Sequence, residues 1–276
     1  MRWPLLLALC LGLSACGSGA HGTAVRRSGR LAPSAQVTGS TRTGATSSGS
    51  GSTGPAGTAP TPPARRTRLV GHSTRGRPIR LITLAGPAGG RTVLDVGCIH
   101  GTECAGEAIV HRLVRSGPPR SGTIWIVPNL NPDGHALGTR VNARGVDLNR
   151  NFPSGWRRIG APGTPQYSGP RPLSERESRL AVRLIERLHP AVTIWFHQPQ
   201  DVVRAWGQSI PVARRYAHLA GAHFRAIRWP AGAATRWQNH TFPGTAAFVV
   251  ELAAGPLGPG PAAHYAAAIR GLAAGQ

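Results

Sequence analysis

The chain has no lysine, a single methionine and only ten acidic residues among 276, so its 32 basic residues are all arginine and its formal net charge is +22. A charge of that size raises nucleic acid as a partner. The arginines, however, are spread along the whole chain, and aromatic residues make up only 5% of it. Without aromatic side chains interleaved among the cations, a single-strand binder is disfavoured, and no specific nucleic-acid partner is expected. Acidic residues are missing altogether before Asp95 and after Glu251. Residues 17–63 lack aromatics as well, and consist mainly of Gly, Ser, Thr, Ala and Pro with scattered Arg. Such a stretch cannot bury enough apolar surface to offset the entropy of ordering it, so residues 16–65 are expected to form a disordered tether.

Long hydrophobic runs are also scarce. Pro4 to Leu13 is nearly all apolar, too short to cross a bilayer but right for the central part of a signal peptide behind the cationic Met1-Arg2. Leu13-Ser14-Ala15-Cys16-Gly17 resembles the bacterial lipobox. That resemblance implies a lipoprotein-type leader over 1–15, lipidation of Cys16 and a membrane anchor on the extracellular face. An ordinary cleavage site with an incidental cysteine is the alternative, and the protein would then be secreted. Outside the cell, the arginine excess suits contact with anionic wall or membrane polymers. Residues 66–276 remain, enough for one domain with a sizeable core.

Within that domain the apolar patterning predicts strands at 68–71, 78–84, 92–97, 123–127, 192–196 and 246–252. The later ones are apolar on both faces, as strands covered by helices on both sides must be. Ala105, Ile109, Val110, Leu113 and Val114 share one helical face. Ser174-Glu175-Arg176-Glu177 reads as a capping box opening a helix through Leu188, and 212–220 and 262–272 are further helices. Strands alternating with helices predict a single α/β domain whose central mixed, mostly parallel sheet is flanked by helices on both faces.

Polar residues stand where these strands end. His100-Gly101-Thr102-Glu103 follows one strand, His197 ends another, and Glu251 lies in Phe248-Val249-Val250-Glu251-Leu252. Open α/β sheets place their sites at the carboxyl ends of strands. Two imidazoles and a carboxylate make a three-ligand zinc site with one position open, the pattern of catalytic zinc, and a second carboxylate is left over as general base. By itself His-x-x-Glu is a weak motif. Taken alone, Glu251 reads equally as a buried glutamate paired with an arginine. Cys98 and Cys104 flank His100 and Glu103, either as a disulfide or as two buried thiols, because spacing does not tell which.

The company of the motif raises its weight. Gly71-His72-Ser73-Thr74-Arg75-Gly76-Arg77-Pro78-Ile79 opens the domain. Asn131-Pro132-Asp133-Gly134, the run from Thr139 through Asp147-Leu148-Asn149-Arg150-Asn151 to Pro153, and Ser168 to Glu175 then lie between the two histidines. The whole order resembles the zinc carboxypeptidase family of the carboxypeptidase A type. Gly97-Cys98-Ile99-His100-Gly101, Phe196-His197-Gln198-Pro199 and the short domain are most similar to its bacterial murein peptide amidase branch. The resemblance implies one Zn²⁺ held by His100, Glu103 and His197, with Glu251 as base and proton carrier. It also implies Arg140 at the developing oxyanion, Asn149 and Arg150 on the substrate's terminal carboxylate, and Asp147 behind His100. The implied reaction is hydrolysis of peptide amide bonds, above all γ-D-Glu–meso-diaminopimelate in peptidoglycan stem peptides.

The match departs from the family in one respect. No tyrosine stands between Tyr216 and Glu251, where family carboxypeptidases carry one on a mobile loop. Trp237, Asn239 and His240 are candidates to line the pocket instead, and Asp201 is a candidate to meet the amino group of diaminopimelate, though a plain surface aspartate is the simpler reading. Alternative functions are a general metallocarboxypeptidase on exported peptides, a zinc deacylase of N-acyl amino acids, and a wall-binding lipoprotein without activity.

Overall fold

The computed structural model describes residues 64–276. The leader, Cys16 and the tether expected from the sequence lie outside the described residues, apart from the last two residues of that tether. In chain order the elements are β1 (Arg65–His72), β2 (Pro78–Ala85), β3 (Thr92–Val96), α1 (Gly106–Arg115), β4 (Thr123–Val127), α2 (Pro132–Leu137), α3 (Arg176–Leu188), β5 (Val192–His197), β6 (Val202–Ala205), α4 (Ile210–Ala220), β7 (Phe224–Ala226), α5 (Ala234–Thr241), β8 (Ala246–Glu251) and α6 (Pro259–Ala273). Short 3-10 turns occur at Leu148–Arg150 and Gly207–Ser209.

The strands form one mixed sheet of eight, ordered β1-β2-β4-β3-β5-β8-β6-β7. Neighbours run parallel in β3–β4, β3–β5, β5–β8 and β6–β7, and antiparallel in β1–β2, β2–β4 and β6–β8. Every residue of β5 and β8 is buried, and their alternating side chains show why. Phe196 of β5 meets Tyr265 of α6, and Phe248 of β8 meets Tyr216 of α4. On the opposite face Trp195 packs against Phe152, while the Thr193 hydroxyl accepts from Gln238 of α5. Both faces are therefore covered, and a run such as Val-Thr-Ile-Trp-Phe, branched or aromatic throughout, is stable there only as a strand. His197 and Glu251 fall on the face of Trp195 and Val249, at the carboxyl ends of β5 and β8.

The expected capping box of α3 does not form. Ser174 Oγ instead donates to Glu175 Oε1 at 2.8 Å, and Glu177 turns away to accept from the Thr74 backbone N–H at 2.8 Å. Tying the β1–β2 turn to the domain outweighs a local cap. The elements the patterning missed, β6, β7, α2 and α5, are short, and the two helices among them are polar. Of these, α2 carries clear end signals. Asn131 Oδ1 accepts from Gly134 N at 2.9 Å and Gly138 closes the helix at φ 63°.

Candidate metal centre

His100 reaches the site through a short connection after β3 that leaves no room for error. Cys98 and Cys104 are joined in a disulfide with Cα atoms 4.7 Å apart, which settles the pairing left open by spacing and closes the loop around His100 and Glu103. A β-carbon on Gly101 would collide with the Gly134 and His135 backbone at the start of α2, so this loop seats directly on that helix.

Three donor atoms converge at the loop. His100 Nδ1 lies 2.8 Å from Glu103 Oε2, His197 Nδ1 lies 3.0 Å from His100 Nδ1, and His197 Nδ1 lies 3.1 Å from Glu103 Oε2. All three residues are buried. Ligand atoms bound tetrahedrally at about 2.0–2.2 Å from one zinc ion stand about 3.3–3.6 Å apart, so the triangle would take such an ion with a small widening. The tautomer of His100 agrees. Its Nε2 donates to Asp147 Oδ1 at 3.0 Å, leaving the Nδ1 lone pair turned toward the other two donors. Asp147 also accepts from the Asn149 backbone N–H at 2.9 Å and so caps the Leu148–Arg150 turn. The turn-forming role and the histidine-orienting contact belong to the same carboxylate.

Electrostatics follow from burial and these contacts. Burial works against ionisation of Glu103, but its close contacts with the His100 and His197 imidazoles outweigh this and hold the carboxyl well below its usual range. Burial likewise opposes ionisation of Asp147, and the nearby His100, Arg140 and Arg150 more than compensate. Burial presses the His197 imidazole down to about 4, with the Glu103 hydrogen bond opposing it. His100 is buried too, yet Asp147 lifts it above its ordinary value.

The other residues expected at the site surround one cavity of about 370 Å³. Arg140 bridges two carboxylates, with Nη1 on Glu103 and both Nε and Nη2 on Asp147 at 3.3 and 3.2 Å. Its five N–H groups leave one on each terminal nitrogen uncommitted. Asn149 Oδ1 accepts from the Ala234 N–H at 3.0 Å, and its Nδ2 faces His197 Nε2 at 3.2 Å. Arg150 donates only to the Asn149 carbonyl, at 2.9 Å, and makes no ion pair among the described residues. Glu251 is 5% exposed. Burial raises its carboxyl, against the pull of Arg204, whose Nη1 lies 3.0 Å from Oε1. The plain reading of Glu251, a buried glutamate with an arginine partner, thus holds as geometry alongside its place on the cavity wall.

Gln198, Arg204 and Trp229 are among the further residues that line the cavity without having been foreseen. Gln198 receives the Ala105 N–H on its Oε1 and donates to the carbonyls of Ala253 and Gly255, tying the metal loop to the segment after β8. Arg204 was legible only as one charge inside the apolar run Val202–Ala205. Trp229 forms part of the wall where Trp237, Asn239 and His240 had been considered. Trp237 is instead packed in the core against Phe152 and Phe242, and Asn239 and His240 border an adjoining cavity. Asp201 is exposed and borders a different cavity, so the surface reading is correct for it.

A family model described as zinc carboxypeptidase matches residues 60–231. That span holds His100, Glu103, Arg140, Asp147, Asn149, Arg150 and His197, and stops short of Glu251. Among curated proteins, murein peptide amidase A of Escherichia coli K12 is 34% identical over 149 residues, covering 48% of this chain and 59% of that protein. The chain thus spans well under two thirds of that relative's length. Carboxypeptidase B of Astacus astacus is 28% identical over 138 residues, covering 40% and 46%. Among solved structures, murein-tripeptide amidase of Escherichia coli O157 superposes with a TM-score of 0.61 at 27% identity, covering 76% of this chain and 92% of that one. Carboxypeptidase A of Helicoverpa armigera gives a TM-score of 0.64 at 16% identity over 77% and 69%, a likeness of fold.

Proposed function

The chain belongs to the zinc carboxypeptidase family, and from that premise we propose that it hydrolyses amide bonds at the C-terminal end of peptides, its substrates being peptidoglycan stem peptides with a γ-D-Glu–meso-diaminopimelate bond. One observation carries the reading. The His100, Glu103 and His197 donors meet within 3.1 Å of one another, on the wall of the same cavity as Glu251, Arg140, Asn149 and Arg150.

Zinc held by the three donors would supply a Lewis acid that polarises the scissile carbonyl and acidifies a water molecule. The remaining work falls to the chain's own side chains. Glu251 accepts the water proton and passes it to the departing amine nitrogen. Its burial favours holding that proton between the two transfers. Arg140 turns its two uncommitted N–H groups to the oxyanion, while its bonds to Glu103 and Asp147 keep it from swinging away. Arg150, with no carboxylate of its own, and Asn149 hold the substrate's terminal carboxylate. When His197 gives its Nδ1 lone pair to a metal, its Nε2 carries the proton and no longer accepts from Asn149, so the amide N–H₂ is released toward that carboxylate.

Export is part of the proposal and rests on the sequence of residues 1–17, with the lipid on Cys16 as anchor. An acid-poor, arginine-rich protein is suited to substrates bearing several carboxylates. Purified protein loaded with zinc, incubated with L-Ala-γ-D-Glu-meso-diaminopimelate and read by product mass, should release diaminopimelate. A chelator should stop the reaction and added zinc should restore it. Failure to bind zinc, or cleavage of ordinary C-terminal Phe, Lys and Arg peptides in preference to the wall peptide, would overturn this reading.

A further inference from the structure

One arginine on the cavity wall touches the proposed base, Glu251, and carries a second edge with no role in the chemistry just described. In the antiparallel pairing of β6 with β8, Arg204 stands opposite Val249, which places it diagonally across from Glu251 on the same face of the sheet. Its side chain is 18% exposed and borders the cavity. Nη1 alone is engaged, with Glu251 Oε1 at 3.0 Å and Gln200 Oε1 at 3.5 Å. Nε is buried without a hydrogen-bond partner, and Nη2 makes no hydrogen bond among the described residues. The free edge, Nε with Nη2, is one that pairs bidentately with a carboxylate.

A second group that lines the same cavity points the same way. Trp229, 8% exposed and on the same wall, has its indole N–H buried without a partner. Two buried donors without acceptors are unfavourable unless something that binds there accepts from them. The wall carries three guanidinium groups, on Arg140, Arg150 and Arg204, against two carboxylates, on Glu103 and Glu251. A bound divalent cation widens that excess. One substrate carboxylate on Arg150 leaves positive charge over. Among the described residues no third acidic residue borders the cavity to receive an amino group.

We propose that Arg204 is a specificity-determining residue that binds a second carboxylate, carried on the side chain of the residue released from the C-terminus. The inference rests on the proposed function, in which Asn149 and Arg150 take the first carboxylate. The favoured leaving residues are dicarboxylic amino acids: diaminopimelate, glutamate and aspartate. Neutral and cationic residues lose the contact and face an unneutralised guanidinium.

The test compares two peptides differing chiefly in that carboxylate, L-Ala-γ-D-Glu-meso-diaminopimelate and L-Ala-γ-D-Glu-L-Lys, with the zinc-loaded protein. The wild type should show a kcat/KM at least about 10-fold higher for the first; Arg204→Leu also removes the partner of Glu251 and lowers turnover of both peptides, but it should bring their ratio close to one. Arg204→Lys should restore part of the preference. Equal use of both peptides by the wild type, or a loss in Arg204→Leu that leaves the ratio where it was, overturns the inference while leaving the hydrolase reading intact. If neither peptide is cleaved, it is the hydrolase reading that falls. Calorimetric binding of free diaminopimelate and free lysine to the zinc-loaded protein then still decides the role of Arg204: a preference for diaminopimelate that Arg204→Leu abolishes supports it, and indifference between the two refutes it.

Discussion

His100 Nε2 donates to Asp147 Oδ1 across 3.0 Å, and that contact determines which imidazole nitrogen is left to face Glu103 and His197. Asparagine at position 147 keeps the shape but can present an N–H₂ where an acceptor is needed, and it removes a charge that Arg140 also holds. Asp147→Asn should weaken zinc binding about 10- to 100-fold. Competition against a chromophoric chelator measures it, and an unchanged affinity would remove Asp147 from the metal centre.

Glu251→Gln retains an oxygen for Arg204 but cannot take a proton. The variant should bind zinc like the wild type and lose about 10²- to 10⁴-fold in kcat. Metal analysis run beside the kinetics separates this from a folding defect. Hydrolysis at the wild-type rate would mean that another group moves the proton.

The metal-free protein should depend on pH through His197. Its imidazole sits at about 4 in the fold against an ordinary value of 6.5, so between those values the unfolded chain binds more protons and stability rises with pH. The contribution is intact above about pH 6.5 and lost as pH falls toward 4, on the order of 2 kcal/mol between pH 7 and pH 5. His100, raised in the fold, works in the opposite direction, so the difference between proteins is the cleaner measure. Urea unfolding at the two pH values should show a larger loss for metal-free wild type than for metal-free His197→Gln. Equal losses would contradict the prediction.

Gly101→Ala places a methyl against the backbone that opens α2. The metal loop must then lift, and overpacking of this kind costs roughly 1–3 kcal/mol. Tm should fall by roughly 5 °C, with weaker zinc binding. Gly260→Ala is the contrast. A β-carbon there meets nothing within 4 Å beyond its chain neighbours, in the first turn of α6, but the Pro261 ring that follows crowds it and offsets the gain in helix propensity, so stability should stay within about 1 kcal/mol of the wild type. Differential scanning calorimetry distinguishes the two.

What could be read from residues alone divides along a physical line. The runs 92–96, 123–127, 192–197 and 246–251 are branched, apolar and bounded by breakers, so their own chemistry marks them as buried strands. Polar residues such as His100, His197 and Glu251 are conspicuous at the ends of such runs. The short β6 and β7 and the polar α5 carry no comparable local signal, because the sheet edge and the wall of the cavity hold them in place. The Ser174–Glu177 cap was misread for the same reason, since Glu177 is claimed by Thr74, 103 residues away in sequence. Arg204 was invisible because its meaning depends on the pairing of β6 with β8. The disulfide could be decided only once the fold had brought Cys98 and Cys104 together.

His197 and Glu251 are direct partners in the parallel ladder between β5 and β8. Parallel strands hold such partners about 4.8 Å apart through backbone hydrogen bonds, so the spacing of proposed ligand and proposed base is a property of the peptide ladder and does not depend on any loop. Gln198, Arg204 and Trp229 reach the cavity from the segments that follow or edge that ladder. Within the proposed function, the backbone ladder would therefore hold the ligand-to-base spacing constant when the wall residue Trp229 is substituted, whereas changes at Gln198 or Arg204 also disturb the metal loop or the Glu251 side chain.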